Sequence, residues 1–224
     1  MNRKIIVTQD NSKTLLNSEL NETYHSTNGA FKEAIHVFIN TGINYFDQKK
    51  ALKIFEMGFG TGLNALLTLN FAIENKIHID YISIEKHPLS IDLVNELNYP
   101  KLIDNEKSTE LYNALHTSPW MIQNKIHPLF QLTKIEGDLN EQLPLIEKCD
   151  LVFYDAFGPR VQPHLWTVES LKIMYDLLLP SGILVTYCAQ GQFKRNLKEL
   201  GFIVENLPGP PGKREMTRAI KPKP

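Results

Sequence analysis

The distribution of apolar and polar residues changes near residue 51. From there on, short apolar runs alternate with segments of helical periodicity, and the runs that read as strands are "LKIFEM", "IHIDYISIE", "FQLTKIEGDL", "CDLVFYDAF" and "GILVTYC". Strands that alternate with helices predict a parallel sheet covered on both faces. The most apolar run, "CDLVFYDAF", is predicted to be a central strand, and "FIVENLP" and "EMTRAI" are predicted to be the last two strands, joined by the turn-rich "GPPGKR".

Two regions depart from this alternation. Residues 1–50 predict an extension made of a short strand or hairpin and an amphipathic helix, which precedes a domain at 51–224. Residues from about 99 to 129 are polar and mostly helical in pattern, and the stretch is too long for an ordinary connection. We therefore expect a helical insertion there, and a candidate lid. Further helices are expected to end at Leu145 and to run from about Pro163 to Leu179.

Composition narrows the classes of function. The 224 residues include 24 Lys and Arg against 25 Asp and Glu, so the net charge of -1 excludes a globally basic nucleic-acid binder, and any RNA contact requires a local patch. The two cysteines, Cys149 and Cys188, lie in apolar runs without a metal-binding pattern. No signal peptide or membrane-length apolar run is present. These features predict a cytoplasmic protein that binds neither a membrane nor a metal.

A glycine-rich turn follows the first strand of the alternating region. In "FEMGFGTGLNAL" the glycines Gly58, Gly60 and Gly62 stand between a strand and a helix, where backbone N–H groups and a helix N-terminus meet a ligand. No Gly-Lys-Ser/Thr follows, which excludes a P-loop. Glu56 would repel a pyrophosphate, but it is suited to accept a hydrogen bond from an amino group. This favours S-adenosylmethionine, which carries an ammonium and a cationic sulfur.

Acidic residues also end the next three strands. Glu85 is placed to bind a ribose with free hydroxyls, and Asp138 to receive an adenine amino group beside an apolar cover. Asp155 follows the central strand and is expected near the methyl-donor centre. Carboxyl ends of parallel strands share one edge of a sheet, so these side chains are predicted to form one site.

Several spaced motifs now resemble one family. "FEMGFGTGLN", "SIEKHPL", "EGDL", "FYDAFGPRVQPHLWT", "GILVTYCAQGQFKRNLKELGF" and "PGPPGKREMTRA" are similar to the methyltransferase part of bacterial MnmC, as is "SKTLLNSELNETYHSTNGAFKEA" near the N-terminus. The resemblance implies a class I S-adenosylmethionine-dependent methyltransferase with an α/β, Rossmann-like, doubly wound, seven-stranded, mostly parallel sheet. Bifunctional members carry an FAD-dependent oxidase domain. This sequence has no FAD fingerprint and stops at Pro224, so the resemblance implies only the methyl-transfer half of the pathway.

The implied reaction methylates the aminomethyl group of 5-aminomethyl-(2-thio)uridine at the tRNA wobble position and gives 5-methylaminomethyl-(2-thio)uridine. The expected partner is the tRNA anticodon region, with separate enzymes that install the aminomethyl group. Asp155 would orient the amine, with Tyr24 and His25 closing over the site and His25 accepting a proton near neutral pH. Residues expected to meet tRNA are Phe157, Trp166, Lys213, Arg214 and Arg218. The expected cofactor-binding residues are Glu56, Gly58, Phe59, Gly60, Thr61, Gly62, Asn64, Glu85, Lys86, Gly137, Asp138, Leu139 and Asp155.

Three alternatives are consistent with the residues. A methyltransferase of the same fold could act on a small-molecule amine instead of tRNA. The loose G-x-G pattern and Glu85 also suit a nicotinamide-dependent dehydrogenase. A Rossmann-like binding module without catalysis would keep the same fold.

Overall fold

The computed structural model describes residues 3–142 and 146–223. The strands in these ranges are β1 (Arg3–Val7), β2 (Lys13–Asn17), β3 (Glu22–Thr23), β4 (Ala51–Met57), β5 (His78–Glu85), β6 (Gln123–His127), β7 (Phe130–Glu136), β8 (Cys149–Tyr154), β9 (Leu178–Thr186), β10 (Ile203–Pro208) and β11 (Glu215–Ile220). The α-helices are α1 (Ala30–Ala34), α2 (Leu63–Asn75), α3 (Ile91–Leu97), α4 (Ser108–Thr117), α5 (Leu139–Gln142), α6 (Val168–Leu177) and α7 (Gly191–Glu199). Ile35–Asn40 forms a π-helix, and 3-10 helices span Ile43–Phe46, Tyr99–Leu102 and Pro163–Trp166.

The large sheet has the order β10-β11-β9-β8-β4-β5-β7-β6. Strand β4 pairs in parallel with both β5 and β8, and the chain builds the sheet outward from β4 in one direction and then from β8 in the other. The prediction of an α/β doubly wound sheet is therefore confirmed. Ligands of such sheets bind beyond the carboxyl ends of the strands, where the order reverses. The crevice between β4 and β8 is that position.

The sheet has eight strands in the described residues, one more than predicted. The additional strand is β6, which pairs antiparallel with β7 at the edge of the sheet. It lies inside the segment predicted to be a helical insertion, so that prediction is wrong for Gln123–His127, although the segment does contain α4 and a 3-10 helix. The sequence of β6, "QNKIH", is polar because the strand is an edge, and it therefore lacks the apolar alternation of a buried strand.

Both faces of the central strand β8 are covered. Leu151 and Phe153 pack into the cluster on one face of the sheet, while Val152 and Tyr154 pack into the cluster on the other. All four side chains are fully buried. A strand covered on both faces has a continuous apolar sequence, which is why this run was recognisable as central.

The N-terminal segment shares the core of the sheet. Strands β1, β2 and β3 form a separate antiparallel sheet, and the helical segments after it pack on α2. The Phe38 ring lies 4.9 Å from that of Phe153. The predicted boundary between 1–50 and 51–224 stays a prediction.

Two further helix predictions have different outcomes. The single helix expected from about Pro163 to Leu179 is a 3-10 helix followed by α6, and β9 already begins at Leu178. Thr167 caps α6 by accepting a hydrogen bond from the Ser170 N–H. The helix expected to end at Leu145 is present as α5, and residues 143–145 lie outside the described residues.

In the described part of the chain, every helix is too short or too polar to cross a bilayer.

Candidate active site

A cavity of about 360 Å³ opens at the carboxyl ends of β4, β5, β7 and β8. The predicted site residues that line it are Tyr24, His25, Gly58, Phe59, Gly60, Thr61, Asn64, Glu85, Lys86, Gly137, Asp138, Leu139, Asp155 and Phe157. The other predicted site residues, Glu56, Gly62, Trp166, Lys213, Arg214 and Arg218, are not among its lining residues. The structure thus brings the strand-end residues and Phe157 together in one cavity, and the other four residues expected to meet tRNA lie outside its lining.

The glycine turn connects β4 to α2 along the floor of the cavity. Its first two N–H groups, from Gly58 and Phe59, donate to the Ile84 carbonyl at 3.0 and 3.1 Å. All three glycines have positive φ, at +94°, +49° and +70° in chain order. At Gly62 a side chain is excluded on a second ground, because an added Cβ would lie 2.5 Å from His116 Nε2. This position requires glycine for both conformation and space.

Glu85 organises the turn from the neighbouring strand. Its Oε2 accepts the Gly60 N–H at 2.9 Å, and its Oε1 accepts the His87 N–H at 2.7 Å. The half-buried carboxylate therefore fixes the loop and also faces the cavity. Each carboxylate oxygen keeps a lone pair for a further donor.

Glu56 lies behind the turn and is not among the residues that line the cavity, so its expected contact with an amino group of the ligand stays a prediction. It is 1% exposed, and its oxygens accept hydrogen bonds from Asn64 Nδ2 at 3.1 Å and from Ser83 Oγ at 2.7 Å. Burial raises the pKa of Glu56 to about 8. Strand periodicity alone did not reveal that its side chain is covered by α2. Glu56 therefore contacts the cavity only through Asn64, whose side chain it binds.

Asn64 links this buried carboxyl group to the cavity. Its Nδ2 donates both to Glu56 Oε1 and, at 2.8 Å, to Asp155 Oδ2. Its Oδ1 is buried and has no hydrogen-bond partner within the described residues. Asn64 therefore connects the buried carboxyl group of Glu56 to that of Asp155 at the cavity.

Asp155 directly follows β8, and its carboxyl group lines the cavity. Burial raises its pKa well above the ordinary value, and the nearby acids Glu33 and Glu56 raise it further. The group is thus a stronger base than a solvated aspartate. The site contains several carboxyl groups and is suited to a cationic or amine ligand.

The raised pKa of Glu56 predicts a specific pH dependence of stability. The unfolded chain loses this proton near pH 4.5 and the folded chain near pH 8, so the stabilisation is present below pH 4.5 and is lost as pH rises toward 8. In the ligand-free protein we expect the melting temperature of Glu56→Gln to fall less, or to rise more, than that of the wild type between pH 5 and pH 8, because the variant lacks this titration. Asp155 acts with the same sign as Glu56, and His25, whose pKa burial lowers, acts with the opposite sign, but both are present in the two proteins. Thermal unfolding across this range measures it. Asp176→Asn, which alters an exposed pair with Lys172, is the control, and an unchanged slope in Glu56→Gln would contradict the assignment.

His25 and Tyr24 occupy one wall of the cavity. His25 is 9% exposed, its Nε2 shares a hydrogen bond of 2.8 Å with Thr61 Oγ1, and burial lowers its pKa to about 4. The expectation of a proton acceptor that titrates near neutral pH is therefore corrected, since desolvation disfavours the imidazolium. The half-buried Tyr24 packs edge-on against Phe157, with 5.1 Å between the ring centroids.

The far end of the cavity is formed by the turn after β7. Asp138 accepts the Asn140 N–H at 3.1 Å, which together with the Lys86 ammonium at 3.2 Å lowers the pKa of its carboxyl group. Gly137 donates its N–H to the Glu85 carbonyl, and the buried Leu139 provides an apolar surface. An anionic acceptor beside an apolar side chain is thus present where it was predicted.

Trp166 is a core residue and is not placed to stack on a base. It is 4% exposed, its ring packs 5.0 Å from Phe193 and 5.1 Å from Tyr154, and its Nε1 donates to the Phe157 carbonyl at 2.9 Å. Its contribution is to anchor the loop that carries Phe157. An aromatic residue in a polar loop gives no sequence signal that separates these two roles.

The basic residues near the C-terminus do not form a free cluster. Lys213 pairs with the buried Glu33 at 2.6 Å and lies over the Tyr187 ring, and Arg218 pairs with Glu205 at 2.6 Å. Arg214 is exposed. Of the three, Arg214 is the one classed as exposed, and Lys213 and Arg218 are partly buried in ion pairs.

The structure adds lining residues that the sequence pattern did not indicate. They come from β2 and the turn after it, from β4, α2 and β5 with the residues after it, and from the segment after β8, and they are Asn17, Leu20, Met57, Leu63, Ile84, His87, Ala156, Val161, Gln162, His164 and Leu165. Gln162 Oε1 accepts the Phe157 N–H at 3.0 Å and shapes that loop. In the described residues, no group of three or more His, Cys, Asp or Glu side chains could hold a metal ion.

Known proteins with similar sequences share this domain. The proteins named tRNA 5-methylaminomethyl-2-thiouridine biosynthesis bifunctional protein MnmC are 29% identical over 215 residues in Burkholderia multivorans and 31% identical over 212 residues in Cupriavidus necator. The matches cover 91% and 88% of this chain but only 33% and 31% of those proteins. The chain therefore spans about a third of the length of these curated relatives.

A solved structure and a family model agree with these matches. The crystal structure of MNMC2 from Aquifex aeolicus has a TM-score of 0.79 and 25% sequence identity, and the match covers 100% of this chain and 71% of that one. A family model described as S-adenosyl-L-methionine-dependent methyltransferase matches residues 107–222, just over half of the chain. The dehydrogenase alternative is therefore not retained. The family-model match, together with the MnmC relatives and the similar solved structure, shows that the chain belongs to this family of S-adenosyl-L-methionine-dependent methyltransferases.

Proposed function

We propose that the chain methylates the aminomethyl group of 5-aminomethyl-(2-thio)uridine at the wobble position of tRNA, giving 5-methylaminomethyl-(2-thio)uridine. The names of the relatives, which refer to the biosynthesis of this type of tRNA nucleoside, support the substrate. The observation that carries the proposal is the buried Asp155 carboxyl group, which Asn64 holds at the cavity wall beside the glycine turn. Such a group is suited to receive an amine.

The residues of the cavity fit S-adenosylmethionine. Gly58, Gly60 and Asn64 line the cavity at the start of α2, where backbone N–H groups and a helix N-terminus can meet the amino-acid end of a ligand. We assign Glu85 to the ribose hydroxyls, and Asp138 with Leu139 to the adenine. When bound, the cofactor supplies an electrophilic methyl group on a cationic sulfur.

The chain's own groups prepare the acceptor amine. A primary alkyl amine has a pKa near that of lysine, about 10, so it arrives protonated and must lose a proton before its lone pair can attack. Asp155 accepts this proton, for which its raised pKa makes it a better base than an ordinary carboxylate. The neutral amine then remains hydrogen-bonded to the resulting acid, and alignment accounts for the rest of the acceleration.

Tyr24 and Phe157 provide an aromatic surface for the uridine. Their rings meet edge-on at the cavity, and an unstacked base in RNA commonly packs on such side chains. We assign this contact to Tyr24 and Phe157 in place of the buried Trp166. The exposed Arg214 is the C-terminal cation assigned to an RNA phosphate.

Methyl transfer from labelled S-adenosylmethionine to bulk tRNA tests the proposal. The tRNA comes from cells that lack this enzyme, and digestion to nucleosides locates the label. We expect label in 5-methylaminomethyl-(2-thio)uridine and little transfer to tRNA from cells that contain the enzyme. Label that appears only in small amines would mean that the substrate is a small-molecule amine and not tRNA. Cofactor binding without transfer to either acceptor would support a non-catalytic module.

A further inference from the structure

Two segments outside the parallel sheet meet at one residue of the glycine turn. From α4, the Tyr112 hydroxyl donates to the Thr61 carbonyl at 2.7 Å, and His116 Nε2 reaches the same oxygen at 3.2 Å. From the N-terminal segment, His25 Nε2 bonds Thr61 Oγ1. Thr61 is 1% exposed, so water does not compete for these bonds. The carbonyl and the hydroxyl of Thr61 are thus both held by residues that are distant in sequence.

The end of α4 is itself fixed to the sheet. Lys134 on β7 is fully buried, and its ammonium donates to the His116 carbonyl at 2.7 Å and lies 4.7 Å from the Trp120 ring centroid. A cation at the C-terminal turn of a helix interacts favourably with the free carbonyls there. The Phe59 ring packs against His116 with 5.2 Å between centroids. Opening the insertion as a lid would separate these groups and leave the Lys134 ammonium without the carbonyl that it binds.

We infer that the insertion carrying α4 is a fixed support for the glycine turn, and that Tyr112 and His116 are positioning residues for cofactor binding. Three glycines with positive φ give the turn a high conformational entropy when it is free. Two donors on the Thr61 carbonyl reduce that freedom before the ligand arrives, and preorganisation of this kind increases affinity. The inference rests on the proposed placement of the cofactor at this turn.

Calorimetric binding of S-adenosylhomocysteine tests it without requiring turnover. Tyr112→Phe removes the hydroxyl and keeps the ring, and we expect the Kd to rise about five- to tenfold. The KM for tRNA and the kcat at saturating cofactor are expected to stay within about twofold. Thr117→Val is the matched control, since its hydroxyl bonds the Asn113 carbonyl on the exposed side of the same helix. A Kd equal to that of the wild type in Tyr112→Phe overturns the inference.

A pair of substitutions at His116 separates positioning from packing. His116→Gln keeps an N–H donor and is expected to bind within about threefold of the wild type, whereas His116→Leu is expected to lose about tenfold. Equal losses in the two variants, or a loss confined to kcat, overturn the inference. If the wild type binds S-adenosylhomocysteine but does not methylate tRNA, the proposed substrate is wrong, while the Kd ratios still decide the role of α4.

Discussion

Asp155→Asn is expected to lower the turnover of methyl transfer at pH 7 by about 10³-fold, which is within the range for loss of a general base. Asparagine is isosteric and its amide oxygen can still accept the Asn64 Nδ2 hydrogen bond, so the cavity keeps its shape. It cannot accept the proton of an ammonium. Because the cofactor is assigned mainly to other residues, the Kd for S-adenosylhomocysteine is expected to stay within about threefold.

The pH profile distinguishes a base from a structural residue. As pH approaches the pKa of the free amine, about 10, more substrate arrives already neutral, and the difference between Asp155→Asn and the wild type is expected to narrow. Asp176→Asn, which alters an exposed pair with Lys172 on α6, should leave the rate unchanged. Turnover of Asp155→Asn within threefold of the wild type at pH 7 would refute the assignment.

Gly62→Ala is expected to weaken binding of S-adenosylhomocysteine by about 30-fold. A side chain at φ +70° costs about 1–2 kcal/mol. The new Cβ would also lie 2.5 Å from His116 Nε2, so His116 must shift and lose its bond to the Thr61 carbonyl. The strain and the displaced turn together lower affinity, by about tenfold for each 1.4 kcal/mol. Calorimetry gives the Kd, and urea unfolding gives the free energy of unfolding.

Gly201→Ala separates the effect of strain at a positive φ from the effect of displacing the glycine turn. Gly201 also has a positive φ, +93°, but an added Cβ would meet nothing closer than the Tyr175 hydroxyl at 3.6 Å. It lies after α7, among residues that do not line the cavity. We expect this variant to lose a similar conformational free energy of about 1–2 kcal/mol with an unchanged Kd. If Gly62→Ala also leaves the Kd unchanged, the turn has no part in binding the cofactor.

Local pattern was sufficient to indicate which acidic residues lie at the edge of the sheet, while their roles stay predictions. A carboxylate at or just after the carboxyl end of a buried parallel strand lies at the ligand edge of the sheet, and Glu85, Asp138 and Asp155 all line the cavity there. Glu56 is one residue before the end of β4 and is not among the residues that line the cavity. Its side chain lies beneath the helix that follows the turn, and strand spacing does not show which neighbours cover a residue.

The role of a side chain that other parts of the fold bury could not be predicted from the sequence segment that contains it. His25, Trp166 and Lys213 were expected to face ligands, yet each is engaged by a residue far away in sequence: Thr61, Phe193 and Glu33, respectively. Burial changes the chemistry of such groups, as the pKa of about 4 for His25 shows. Desolvation depends on every atom nearby and therefore appears only in the folded chain.

Sequence by itself determined the alternation of strands and helices, the glycine turn and the acids at strand ends, because hydrophobic period and backbone geometry are local properties. Tertiary structure alone decided that β6 joins the sheet, that Glu56 supports Asn64 from behind, and that Tyr112, His116 and His25 converge on Thr61. These contacts join segments separated by up to 55 residues or are set by packing, so no periodicity within a segment encodes them.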